Sequence, residues 1–333
     1  MGLIITDNKY YSDIASAIRN KLSNSSTYLP EEMASAILSI SGGGGITPSG
    51  SLSISTNGTY DVTQYASAVV DVPENDYMLK YHGANSLTSF TDLSSTTVVY
   101  GAFAYTSSLA RVSFPAATII GNYAFAYCYG LSDAYLPEVK AINTYAFQYC
   151  SSLWSGQVLS SSMLPKVTGT LGGYAFRGCQ YLSGVSLPLV TSLGAQTFSG
   201  CSRIKHVRLP ALTYAQAGAF SYCTTCSEYS LPVLKTVGSS CFYSNWALTT
   251  LTLPAATTIS GYAFRYCSNL MSIYLPGSSV VSLPTSTTFA NMPVTASVDG
   301  SYGSIYVPSS LLASYKAATN WATVSARIVA ISS

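Results

Sequence analysis

Apolar and polar positions along most of this chain follow a pattern that repeats about every 22 residues. Each unit approximates LxxVxLPxVxxIGxYAFxYC, and its best copies cover residues 131–150 and 248–267. The apolar first, fourth and sixth positions predict a short strand with one buried side, ended by the proline. The YAF segment predicts a helical or irregular turn on the opposite side, with its phenylalanine at the centre of the coil.

The phenylalanines of the YAF segment confirm that the period is fixed. Successive phenylalanines are 22 residues apart in six of eight steps, and 29 and 25 residues apart in the other two. A constant period implies one supersecondary unit per repeat, whose apolar face is buried only when neighbouring units stack. The sequence therefore predicts a solenoid. The phenylalanines lie at positions 103, 125, 147, 176, 198, 220, 242, 264 and 289.

Eight cysteines raise the question of disulfide, redox or metal chemistry, and Cys223 and Cys226 have C-x-x-C spacing. The positions of the cysteines within the 22-residue repeat argue against this chemistry. Six cysteines follow a repeat phenylalanine by three residues, while Cys226 takes a repeat leucine position and Cys241 a repeat alanine position. We predict that all eight are small buried side chains with free thiols, and that the chain holds no metal or cofactor.

The 22-residue period, the LP step and the AFxxC phrase together resemble the BspA-like leucine-rich repeats of bacterial surface proteins. The resemblance implies an α/β-type solenoid with one short strand per coil over residues 80–300. It also implies a closing cap over residues 301–333, in which Tyr315, Trp321 and Ile328 cover the last coil.

The first 79 residues differ from the repeats. Two amphipathic helices are predicted within residues 1–41, followed by a glycine linker at 42–45 and a small β module at 46–79. So small a helical hairpin buries too little to be stable alone, so we expect it to attach to its own copies or to a larger assembly. Its apolar attachment residues are Ile14, Ile18, Leu22, Met33, Ile37 and Ile40.

These N-terminal segments resemble modules at the front of phage tail and other virion proteins. The phrases that carry this resemblance are IASAIRNKL, YLPEEMASAILSI and STNGTYDVTQYASAVVDV. The resemblance implies a location in the virion tail and contacts with other tail proteins through the N-terminus. It would also account for a start without a recognisable secretory signal.

Composition excludes several function classes. The chain has 15 basic and 13 acidic residues and no basic run, which argues against nucleic acid as a partner. No apolar stretch is long enough for membrane insertion. With two histidines and no hydrolase, zinc-protease or nucleotide-binding motif, we predict no catalytic residues and no enzymatic activity.

Candidate binding residues lie between the buried positions of the strands, where packing does not dictate the side chain. The same positions also fit a merely solvated face. The charged group around His206 could bind an acidic or sugar-like group or could serve solubility, and Trp154 could be an exposed anchor or could cover a gap beside Leu153. The candidates are Arg111, Asp133, Tyr135, Trp154, Lys205, His206, Arg208, Glu228 and Tyr274.

Together these features predict a tail-associated adhesion or receptor-binding protein of a bacterial virus. Its solenoid would contact a host cell-surface protein or glycan. The alternative is a BspA-like adhesin on the bacterial cell surface, which would bind a host protein or glycan.

Overall fold

The computed structural model describes residues 51–54, 67–70, 87–295 and 301–331 of the 333-residue chain. The predicted helices within residues 1–41 and the glycine linker lie outside the described residues. The chain divides after Leu153 into two compact units. Each unit is a parallel β-solenoid, because each coil adds its strands in parallel register to those of the coil before.

The first unit contains two parallel sheets, with strand orders β1-β2-β3-β5-β7 and β4-β6-β8. Arg111 pairs with Asp133, so neighbouring strands are offset by one 22-residue repeat. Within the small β module predicted over residues 46–79, the two described strands belong to the first sheet. The strands are β1 (Ser51–Ile54), β2 (Ser67–Val70), β3 (Ser89–Asp92), β4 (Thr97–Val98), β5 (Arg111–Ser113), β6 (Ile119–Ile120), β7 (Asp133–Tyr135) and β8 (Ala141–Ile142).

The second unit contains three sheets, with orders β9-β11-β13-β15, β10-β12-β14-β16-β18 and β17-β19-β20-β21. Its strands are β9 (Val158–Ser160), β10 (Gly169–Leu171), β11 (Gly184–Ser186), β12 (Val190–Leu193), β13 (His206–Arg208), β14 (Tyr214–Ala215), β15 (Glu228–Ser230), β16 (Thr236–Val237), β17 (Thr250–Thr252), β18 (Thr258–Ile259), β19 (Ser272–Tyr274), β20 (Ser304–Val307) and β21 (Ile328–Ala330). Its helices are the 3-10 turns η1 (Ser286–Phe289), η2 (Ser309–Leu311) and η3 (Ala322–Arg327), and α1 (Leu312–Ala317).

The coils add one detail to the predicted plan. Besides the predicted strand, most carry a second short strand after the LP step, such as β6 or β14. The YAF segments of the described coils form irregular turns, which was one of the two predicted alternatives. The second strand forms because its last residue is an apolar core position, as in the buried Ile120 and Ala215.

The phenylalanines form the centre of each coil, as the sequence predicts. All nine are at most 1% exposed. The rings of Phe103 and Phe125 stack with centroids 5.2 Å apart, and those of Phe176 and Phe198 with centroids 5.5 Å apart. Burial of each ring contributes roughly 1.5–3 kcal/mol relative to an exposed one, so this column is a main source of stability.

The turns that present these phenylalanines have an unusual backbone. In eight successive coils, the residues two before and two after the phenylalanine have positive φ. For example, φ is 58° at Tyr123 and 62° at Tyr127, on either side of Phe125. Tyr123, Phe125 and Tyr127 each donate a backbone N–H group to the next coil, as in the 2.8 Å bond from Phe125 to the Ala146 carbonyl. These bonds offset the roughly 1–2 kcal/mol that a left-handed conformation costs a tyrosine.

The last coil is covered by aromatic residues from the C-terminal segment. The Trp321 ring lies 5.4 Å from Phe289 between centroids, and its Nε1 donates to the Val281 carbonyl at 2.8 Å. Tyr315 packs edge-on against Trp321, and both residues are fully buried. Ile328 is 2% exposed. These contacts close the open end of the second unit's phenylalanine column.

Candidate binding surface

The strand face of the second unit is defined by the outward residues of β9, β11, β13 and β15. Val207 at the middle of β13 is buried, whereas Arg208 is exposed and His206 half-buried. In β15, Glu228 and Ser230 are exposed around the buried Tyr229. The candidate residues of this unit's strands therefore point away from the core, because alternate residues of a strand point to opposite faces.

The charges on this face are only partly paired. The Arg208 guanidinium lies 3.3 Å from the Glu228 carboxylate, and both side chains are more than half exposed. An ion pair in water contributes about 0–1 kcal/mol, so it contributes little to folding. Lys205 is also exposed, and no ion pair is recorded for it in the described chain. The group is therefore available for charge-assisted bonds to a partner.

The His206 ring lies flat against the sheet beside β11. A Cβ on Gly184 would approach the His206 Nε2 within 2.6 Å, so only glycine leaves room for this ring position. Gly184 and His206 are register partners in adjacent strands. The local sequence thus positions an imidazole at the surface next to Lys205 and Arg208.

Two tyrosines stack on the outward side of β19 and β20. Tyr274 was predicted as a candidate, and its ring lies parallel to that of Tyr306 with centroids 4.4 Å apart. Tyr306 was missed because it follows the last regular repeat. A signal was nevertheless present, since the phrase SIY occurs at both Ser272 and Ser304. The pair forms an aromatic edge on this sheet, next to the smaller side chain of Thr252 in β17.

The first unit has its own strand face. Arg111 and Asp133 are exposed register partners in β5 and β7. Tyr135, at the end of β7, is 58% exposed. The structure therefore brings these three predicted residues to one face of one sheet.

Trp154 does not serve as an exposed anchor. It is 2% exposed, and the alternative that it covers a gap beside Leu153 fits this burial. The 29-residue repeat keeps a regular strand, β9, with Leu159 fully buried. Because β9 pairs with β11 in the sheet, the additional residues are distributed before and after the strand.

The cysteines are buried, as register predicts, and all eight are free. Five of the thiols donate to a phenylalanine carbonyl one coil earlier, such as the Cys128 Sγ to the Phe103 oxygen at 2.9 Å. Burial raises the pKa of Cys128 and Cys267 to about 12, which keeps these thiols protonated and unreactive. Across the described ranges, no group of histidine, cysteine and acidic residues has metal-binding geometry.

Rows of tyrosine on the turn side are the main surface feature that sequence reasoning missed. We call the residues two before each phenylalanine the front row and those two after it the rear row. In the first unit Tyr123 and Tyr145 stack in the front row with centroids 4.4 Å apart, and Tyr105 and Tyr127 stack in the rear row at 4.6 Å. The repeated YAFxY phrase is the signal available in the sequence, because its two tyrosines keep the 22-residue period.

Comparison with known families agrees with this architecture. The family model described as BspA type leucine rich repeat region matches in six copies, over residues 78–163, 153–271 and 212–301. The chain belongs to this family. BspA-type repeats thus account for most of both described units, including the strand face of each and the turns with the tyrosine rows.

Solved structures of leucine-rich repeat proteins are similar to the chain at low sequence identity. A protein from Bacteroides ovatus shares 20% identity over 77% of this chain and 63% of its own, with a TM-score of 0.48. A leucine-rich cell surface protein from Faecalibacterium prausnitzii shares 16% identity over 84% and 91%, with a TM-score of 0.42. The pneumococcal vaccine antigen PcpA shares 16% identity over 85% of this chain and 88% of its own, with a TM-score of 0.36.

The chain spans less than two thirds of the Bacteroides ovatus protein, and no curated protein matches its sequence. In the part of the chain that the structure describes, no helix has the length and apolar character needed to cross a bilayer.

Proposed function

We propose that this BspA-type protein is a non-enzymatic adhesion or receptor-binding protein that uses the strand face of its solenoid. The supporting observation is the contrast between the two sides of each strand. Inward positions such as Val185, Val207 and Leu251 are apolar and buried. Outward positions range from serine and threonine to arginine, histidine and tyrosine, so packing does not determine them.

Within the strand face, the group Lys205, His206, Arg208 and Glu228 is the proposed contact for the partner. Charged residues make up only 8% of the chain, so a cluster of four such polar groups stands out. The cations supply donors for a carboxylate or sulfate, and Glu228 supplies acceptors for hydroxyl groups. An acidic glycan or an acidic patch on a host protein offers these groups.

The double reversal Arg208→Glu with Glu228→Arg tests the contact while retaining the ion pair. Because both side chains are more than half exposed, the free energy of unfolding should change by less than about 0.5 kcal/mol. Binding of the labelled full-length protein to host cells should fall at least about tenfold, as expected for a changed contact charge. Lys316→Glu, at an exposed position in α1, is the matched control. Equal binding by the double reversal and the native protein would exclude this patch.

We place the protein in the tail of a bacterial virus, with residues 1–41 attaching it to other tail proteins. This part of the proposal is supported by the N-terminal phrases that resemble virion modules. Deleting residues 1–45 should release the protein from particles while the solenoid keeps its circular dichroism spectrum. Continued assembly of the truncated protein would rule out attachment through this segment.

The second candidate is an adhesin on a bacterial cell surface, and membership of the BspA-type family favours it. Both candidates share the strand-face contact, and they differ in location. Antibody detection in purified phage particles supports the virion role, whereas recovery only with the cell envelope supports the surface adhesin. Gradient-purified particles separate the two outcomes.

A further inference from the structure

The tyrosine rows are interrupted on the turn side of the second unit. In the front row, Tyr174 is followed by Gln196, Gly218 and Ser240 before tyrosine returns at Tyr262. The backbone stays left-handed throughout, with φ of 54° at Gln196, 65° at Gly218 and 54° at Ser240. The turns therefore keep one geometry while three successive coils lack the large ring. A groove of about 370 Å³ occupies this place.

Aromatic rings form the sides of the groove. Tyr174, Tyr222 and Tyr243 line it, and Tyr222 is 49% exposed. Tyr222 and Tyr243 contact each other with centroids 5.2 Å apart and planes inclined by 55°. The rear-row position one coil before Tyr222 is Gly200, so no side chain from that position covers the Tyr222 ring. An incoming apolar face can therefore pack against it.

Neutral hydrogen-bonding groups form the rest of the lining. The Gln196 amide nitrogen donates to the Tyr174 hydroxyl at 3.2 Å, which holds both side chains at one end of the groove. The Ser240 hydroxyl lies in the lining, and no hydrogen bond is recorded for it within the described ranges. Ser221 is already used, since it donates to Ser199 and lies 2.9 Å from the Gly218 carbonyl. Amide and hydroxyl groups can thus both donate to and accept from a ligand.

Two features restrict the class of ligand. The residues that line the groove include no acid and no base, so no charged group in the lining would compensate the desolvation of a charged ligand. The nearby Arg177 guanidinium lies over the Tyr174 ring, 5.5 Å from its centroid. The backbone of the turns is already occupied, because Gly218 and Tyr222 donate their N–H groups to the next coil at 2.8 Å each. An extended peptide consequently finds no free edge to which it could add as a strand.

We infer that this groove binds a neutral saccharide. A pyranose ring has apolar C–H faces that pack on tyrosine rings, and hydroxyl groups that exchange hydrogen bonds with amide and serine side chains. The volume lies within the range of roughly 300–1,000 Å³ that is typical of small-molecule sites. The groove shares no residue with the charged group on the strand face. This inference therefore goes beyond the proposed function and can fail independently of it.

Ser240→Tyr is the decisive variant, because it continues the front row into the groove. Tyrosine occupies this register position at Tyr123, Tyr145, Tyr174 and Tyr262 with φ between 58° and 62°, so the turn accepts it. The new ring would fill the space that the ligand needs. Tyr222→Leu removes one aromatic side and keeps an apolar group. Ser314→Tyr, at an exposed position in α1, introduces the same ring elsewhere and is the matched control.

The assay is saturation-transfer NMR on the full-length protein with maltose, lactose and chitobiose as neutral probes and 3′-sialyllactose as the charged probe. We expect transfer from tyrosine protons to the C–H groups of at least one neutral disaccharide. The fitted affinity should fall about tenfold or more in Ser240→Tyr and Tyr222→Leu, and should stay within about twofold in Ser314→Tyr. Near-ultraviolet circular dichroism and the melting temperature check that Ser240→Tyr is folded.

Three results would overturn the inference. The first is that no neutral probe shows transfer at 10 mM ligand, which is about the concentration at which weak sites are occupied. The second is undiminished binding by a folded Ser240→Tyr variant. The third is transfer to the sialylated probe alone. If Ser240→Tyr is unfolded, Tyr222→Leu decides by the same criterion.

Discussion

A buried pair in the second unit, Tyr229 and Asn245, replaces two regular core residues at once. Other strands have purely apolar residues, from alanine to phenylalanine, where Tyr229 lies, and six other coils have cysteine where Asn245 lies. The Asn245 Nδ2 donates to the Phe220 carbonyl at 2.9 Å, the bond that Cys223 makes to Phe198 at 3.3 Å one coil earlier. The Tyr229 hydroxyl donates to the remaining amide oxygen of Asn245. Each substitution therefore depends on the other.

The geometry sets the expected magnitude of a double-mutant cycle. Tyr229→Phe leaves the buried Asn245 oxygen without its donor, and we expect a loss of about 1–3 kcal/mol in the free energy of unfolding. Asn245→Cys restores the regular cysteine but removes the acceptor of the Tyr229 hydroxyl, which should cost a similar amount. In the double variant both polar groups are absent, so the loss should be less than about 1 kcal/mol and the coupling about 1–3 kcal/mol.

Urea unfolding, monitored by circular dichroism, gives the free energy of unfolding of the native protein, the two single variants and the double variant. Equal m-values would show that the unfolding reaction is unchanged. Tyr214→Phe removes a hydroxyl from a tyrosine that is 43% exposed, and should shift stability by less than about 0.5 kcal/mol. If the two single losses simply add in the double variant to within about 0.5 kcal/mol, the paired-substitution argument is wrong.

Two further predictions concern the buried aromatic and thiol groups. Trp154→Ala should lower the free energy of unfolding, measured in urea, by about 3–5 kcal/mol. Trp246, which is 52% exposed, is the control, and Trp246→Ala should lower it by about 1 kcal/mol or less. Similar losses in the two variants would contradict the burial of Trp154. Because the pKa of Cys128 is raised from 9.0 to about 12, the folded state keeps a proton that the unfolded state loses above pH 9. Stability should therefore fall as pH rises from 9 towards 12, and melting temperatures that stay constant from pH 8.5 to 10.5 would contradict this.

The turns illustrate what register alone could and could not reveal. Placing each phenylalanine and cysteine in the 22-residue period was sufficient to predict their burial, because a solenoid repeats one environment in every coil. The period did not reveal that Tyr123 and Tyr127 have left-handed backbones, since tyrosine is an uncommon choice there. The interruption at Gln196, Gly218 and Ser240 is visible in the sequence, but without the turn geometry it has no spatial meaning.

Sequence periodicity alone determined the repeating fold, its phenylalanine column, the buried cysteines and the outward direction of residues such as Arg208 and Glu228. These properties depend on local alternation and on a constant repeat, which a linear pattern contains in full. Tertiary structure decided the burial of Trp154, the second strand of most coils and the groove beside Tyr222. Those features depend on which atoms of neighbouring coils occupy the same space, and distances across coils are not a property of spacing along the chain.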